Sequence, residues 1–84
     1  MINVKDAYSY AVQYFRELVG DYKCDLEEIE LSSNNEYWIA TLSYYEVKPR
    51  TGFKATIKLV KKLAKTITVN SGDGAFFRMK IAKL

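Results

Sequence analysis

The sequence predicts an α+β fold: one N-terminal helix packed on a three- to four-stranded antiparallel meander, in the order helix-β-β-β-β. Three observations carry this. Apolar residues recur at helical spacing through the first twenty positions, most of the remaining chain alternates apolar with polar, and short polar or Gly-bearing turns separate the alternating stretches. An antiparallel sheet tolerates one wet face, so a single amphipathic helix can complete the core by covering the other.

The helix begins at Asn3, an N-cap residue with Asp6 in the capping-box position. Val4, Tyr8, Ala11, Phe15 and Leu18 form its apolar stripe, joined by Ala7, Val12 and Val19, and Asp6, Ser9, Gln13, Arg16 and Glu17 fall opposite. Gly20 stands where a C′ glycine ends the helix. Residues 21–25 connect to an acidic first strand, Leu26 to Ser32, with Ile29 and Leu31 inward and Glu28 and Glu30 outward. Charge of this density suits an exposed edge strand, which it protects from pairing with other chains. That plainer role outweighs an acid/base site.

Ser33, Asn34 and Asn35 form a polar turn into EYWIATLSYYEV, Glu36 to Val47, the central strand. It holds the only Trp and is heavy on both faces, with Trp38, Ala40, Leu42 and Tyr44 pointing one way and Tyr37, Ile39, Thr41, Ser43 and Tyr45 the other. Lys48 to Gly52 reads as a break. Beyond it, period and alternation disagree. Phe53, Ile57, Val60 and Ala64 are helix-spaced, whereas Leu63, Ile67 and Val69 line a strand. The preferred division is an irregular or one- to two-turn helical segment over 53–60 and then a strand from Lys62 to Asn70; a long bent strand, beginning as early as Phe53, is the alternative. Ser71-Gly72-Asp73-Gly74 is a turn, too poor in spaced oxygen ligands for a calcium loop. Phe76 to Leu84 is the last strand, with Phe77, Met79 and Ile81 on one face and Arg78 and Lys80 on the other.

Eighty-four residues make one domain, residues 1–84, with an expected stability of about 4–12 kcal/mol. The single cysteine, Cys24, forms no internal disulfide. Its solitude, with an N-terminus lacking the layout of a signal peptide and no apolar run of membrane-spanning length, predicts a cytoplasmic protein. Charge is sharply divided. Residues 1–47 hold three basic and nine acidic groups, and residues 48–84 hold ten basic groups and one acid, Asp73.

The leading helix, the acidic LEEIEL strand, the aromatic YWIATLSY strand and the Gly-bearing turn of TITVNSGDGAFFRMKI together resemble small PepSY-like and cystatin-like domains. Asn70 stands where the PepSY-like strand–Asp–turn–Gly–strand signature has Asp. The resemblance covers most of the chain and implies a binding or inhibitory module, in families that often work outside the cytoplasm.

Catalysis is not expected. There is no histidine, Cys24 has no base to activate it, and no phosphate-binding glycine loop is present. Neither cofactor nor metal is implied. The leading expectation is a non-enzymatic protein-binding or regulatory module, inhibitory in one form and self-associating in another. Its candidate interface is Tyr37, Ile39, Tyr45 and Val47 on the central strand with Tyr10 and Tyr14 on the helix flank. The alternative is a nucleic-acid or anionic-surface binder using Lys48, Arg50, Lys54, Lys58, Lys61, Lys62, Lys65, Arg78 and Lys80, with Phe53, Phe76 and Phe77 interleaved. Against it, alternation should bury Phe77, and no RNP, KH or helix-turn-helix motif is present.

Overall fold

A computed structural model describes residues 1–51 and 56–82, with the backbone alone over 47–51 and 56–60. Helix α1 spans Val4–Leu18 and is followed by strands β1 (Cys24–Leu31), β2 (Tyr37–Thr51), β3 (Thr56–Asn70) and β4 (Phe76–Ala82). The four strands form one antiparallel sheet in chain order, and α1 lies across one face of it.

The helix starts and stops where its residues dictate. The Asn3 side chain accepts from the Asp6 amide at 2.8 Å, and beyond the Val19 C-cap Gly20 takes φ +139°. The buried line is narrower than the apolar stripe. Ala7, Ala11 and Phe15, each four residues apart, are fully buried, whereas Val4 and Leu18 at the two ends are about half exposed. Two alanines let the helix axis approach the sheet closely, and Phe15 then fills the space below with an edge-to-face contact on Tyr44 (5.1 Å, 72°). Ala40, Leu42, Ile67 and Val69 complete the core from β2 and β3.

One end of the sheet is tied together by its turns. Ser71 donates its hydroxyl to Asn35 O at 2.6 Å and its amide to Glu36 O at 2.9 Å, joining the β1–β2 and β3–β4 connections. The N-terminal segment is strapped to the same end: the Ile2 amide donates to Ser71 O at 2.7 Å, and the Trp38 indole donates to Ile2 O at 3.2 Å. The Asn70 side chain accepts from the Gly72 amide at 2.7 Å, the local turn bond that an Asp would also make.

Three expectations are corrected. The helical segment over 53–60 is replaced, from Thr56 onward, by strand: β3 runs unbroken from Thr56 to Asn70, and residues 53–55 lie outside the described ones. The break at 48–52 is not seen through Thr51, because β2 and β3 stay in continuous register from Tyr37↔Asn70 to Thr51↔Thr56. Pro49, which lacks an N–H, is accommodated because neither β1 nor β4 reaches that far and β2 has a free edge there. Finally, strict alternation fails in β4. A bulge between the Thr68 and Val69 pairings puts Phe76 opposite Val69 on the helix side, where it meets Tyr14, and turns Phe77 to the other face, against Tyr37.

Candidate functional site

β1 ends its pairing at Cys24↔Tyr44 and β4 at Ala64↔Ala82. The β2–β3 pairing continues for seven further pairs, from Tyr45↔Lys62 to Thr51↔Thr56. A two-stranded ribbon therefore projects past the rest of the sheet by about 20 Å, at roughly 3.4 Å per residue, and the molecule is drawn out to 55 × 21 × 18 Å. Residues 47–62, which include five of these seven pairs, hold six basic groups and no carboxylate. Lys58 is in register with Pro49, Arg50 with Ile57, Lys48 with Leu59 and Lys61 with Glu46.

The second feature is the sheet face turned away from α1. Cross-strand partners share a face, so β2 contributes Tyr37, Ile39, Thr41, Ser43 and Tyr45, and β3 contributes Asn70, Thr68, Thr66, Ala64 and Lys62. Tyr45 is 53 % exposed and Phe77 50 %. The Phe77 ring lies 4.5 Å from that of Tyr37 and carries the Arg78 guanidinium at 5.5 Å. The Lys62 ammonium sits 6.0 Å from the Tyr45 ring.

The residues proposed from sequence therefore separate. Tyr37, Ile39 and Tyr45 share the outer face. Tyr10 and Tyr14 do not join them: Tyr14 donates its hydroxyl to Gly74 O at 3.2 Å, and the Tyr10 ring abuts Gly74, so both close the helix against the β3–β4 turn. The Val47 side chain lies outside the described ones. Of the basic residues, Lys62, Arg78 and Lys80 take outer-face register positions, and Lys65 pairs with Leu42 and Ile81 on the helix side. Lys61 is exposed on the ribbon. For Lys48, Arg50 and Lys58 the register alone is described, and Lys54 and Phe53 lie outside.

Lys62 is held by Glu27 at 3.0 Å. A bulge between Leu26 and Glu28 makes Glu27 the extra residue of β1, in reach of a cation two strands away. The Lys62 ammonium, then the Ser43 hydroxyl, draw the Glu27 carboxyl below its ordinary pKa, and Glu27 in turn raises that of Lys62. Because the folded Glu27 value is depressed, its contribution to stability is complete above the unfolded carboxylate pKa and is lost as pH falls through the lower folded one. For Lys62 the raised value means the contribution is complete below the unfolded lysine pKa and is lost as pH rises through the folded one. A side-chain NMR titration is expected to place the Glu27 midpoint below the usual glutamate range, and Lys62→Ala to move it back up. An unchanged midpoint in that variant would remove the pair from the account.

Nothing among the described residues is arranged to activate a group near neutral pH. Burial pushes the Cys24 thiol up, with Arg16 only partly offsetting it. A hollow of about 260 Å³ beside α1 is lined by Asp6, Ser9, Tyr10 and Gln13. No cluster of metal-ligating side chains occurs among the described residues, and no helix among them is long and apolar enough to cross a membrane. No family model, curated protein or solved structure matches the chain.

Proposed function

We propose that this protein is a non-catalytic binding module whose partner is a nucleic acid, held through the projecting β2–β3 ribbon. The observation that carries the reading is the coincidence of the ribbon with the basic half of the chain. Five of the seven pairs beyond the sheet, Val47↔Val60 to Thr51↔Thr56, lie in the stretch that has cations and no acid, with Glu46 the one carboxylate of the ribbon's described pairs, while most acidic residues gather on β1 and around α1. A ribbon rich in cations attracts a polyanion, and neutralising each phosphate releases condensed counterions. The arrangement adds no reacting group and needs none.

The test is a fluorescence-anisotropy titration with a labelled oligonucleotide across a salt series. Binding is expected to weaken linearly in log salt. Replacing Lys48, Arg50 and Lys58 together by Gln is expected to flatten the slope by roughly 2–3 and to cost on the order of a hundredfold in affinity near 0.1 M salt. Circular dichroism should stay at the parental signal, because α1 and its buried contacts lie on the other part of the sheet. A slope that the triple variant leaves unchanged would overturn the reading.

A protein partner on the outer face is the second reading, favoured by the exposed Tyr45 and Phe77 and by the binding or inhibitory role that a PepSY-like resemblance implies. Light scattering that finds a concentration-dependent dimer, abolished by Tyr45→Asp, would favour it over the first.

A further inference from the structure

The outer sheet face carries aromatic rings, cations and a charge gradient that the ribbon alone does not use. We propose that this face is a stacking track for single-stranded nucleic acid, running from the Phe77–Tyr37 pair to Tyr45 along the β3–β4 side. The inference rests on the nucleic-acid reading above and names the form of ligand that reading takes.

Three observations converge. First, the β4 bulge sets a large aromatic on the outer face: Phe77 lies against Tyr37 there and is half exposed. Aromatic faces left open on a sheet give bases a surface to stack on without reading their sequence. Second, the Arg78 guanidinium lies over Phe77 at 5.5 Å, and at the other end Lys62, paired with Glu27 at 3.0 Å, lies beside Tyr45 at 6.0 Å. Lys80, opposite Thr66, stands on the same face between them. Arg78 and Lys80 have no ion pair among the described residues. Third, the face is electrically sided. Glu28 and Glu30 stand at the β1 edge and the Glu27 charge is taken up by Lys62, so a polyanion is turned away from that edge and toward β4. Tyr37 and Tyr45 are eight residues apart on one strand, about 27 Å, and Tyr45 opens the ribbon, so a strand on this track leads directly onto the ribbon's cations. A duplex keeps its base faces stacked internally and offers the rings nothing to stack on.

The discriminating experiment compares a labelled oligo-dT 12-mer with a 12-base-pair duplex against the intact protein, Phe77→Ala, Phe77→Leu, Tyr45→Ala and Arg78→Gln. The single strand is expected to bind more tightly than the duplex. Phe77→Ala and Tyr45→Ala should each weaken dT binding about 5- to 150-fold at constant salt slope, and Phe77→Leu, which keeps apolar bulk beside Tyr37 without an aromatic face, should weaken it nearly as much. Arg78→Gln should lower the single-strand slope by roughly 0.7. Duplex affinity should be unmoved by the aromatic substitutions. Salt-dependent binding that is indifferent to strandedness and to Phe77 would overturn the track and leave the ribbon reading standing. Absence of binding to either oligonucleotide at low salt would overturn both.

Discussion

Phe15→Ala is expected to be the most destabilising single truncation on α1, at about 3–5 kcal/mol. Phe15 is the only large side chain on the fully buried line of α1, since the other two positions on that line are Ala7 and Ala11. Removing it deletes the edge-to-face contact with Tyr44 and opens a cavity that two alanines cannot collapse into, a change that costs about 3–5 kcal/mol in comparable cores. Set against about 4–12 kcal/mol for a chain of this length, the loss consumes about a quarter of the total or more. Urea denaturation followed by Trp38 fluorescence is the measurement. Phe15→Leu should recover most of the lost midpoint, and a Phe15→Ala loss under about 1 kcal/mol would contradict the assignment of Phe15 as the keystone of the helix–sheet contact.

Gly74→Ala should cost about as much through a different mechanism. Gly74 has φ +78°, a region that costs an L-residue roughly 1–3 kcal/mol. A methyl group there would also collide with the Cδ2 and Cε2 atoms of the Tyr10 ring, an overlap relieved only by moving the ring, at roughly another 1–3 kcal/mol. The two causes separate in a double-mutant cycle. In a Tyr10→Ala background the collision is gone and the backbone strain remains, so the penalty of Gly74→Ala should fall by about half. An equal penalty in both backgrounds would show that the ring yields freely. Tyr14, whose hydroxyl reaches Gly74 O, serves as the internal check, because its contact runs to the backbone and not to the space a methyl would fill.

Residues that obey one periodicity were legible in the sequence. Asn3 and Gly20 mark the ends of α1, and the Trp-bearing strand sits inside the sheet, because capping and alternation are local rules read one residue at a time. Residues under two competing rules were not. Phe53, Ile57 and Val60 have helical spacing, yet from Thr56 the chain is strand: Tyr37 to Thr51 offers a partner in continuous register, and tertiary pairing overrides a short-range pattern. Alternation puts Phe77 on the face of Met79 and Ile81, whereas a bulge adds one residue to the count and turns it to the other face, and nothing in FFRMKI announces it. Tyr10 and Tyr14 were grouped with Tyr37 and Tyr45 by residue type, although helix geometry faces them toward the β3–β4 turn. The charge division at Val47 was visible from the start, but its meaning depended on where β1 and β4 stop.

Sheet order that copies chain order also shapes how the molecule can assemble. Each strand finds its partner immediately upstream or downstream, across connections of only four or five residues, so the entropy lost in closing any one of them is small. Hairpins can zip one after another without a distant segment having to arrive first. The steps that do require distant segments are the docking of α1 and the strapping of Ile2 onto Ser71, which join the two ends of the chain. The meander is thus a provisional scaffold until Phe15 seats, and that event turns a string of neighbouring hairpins into one cooperative body.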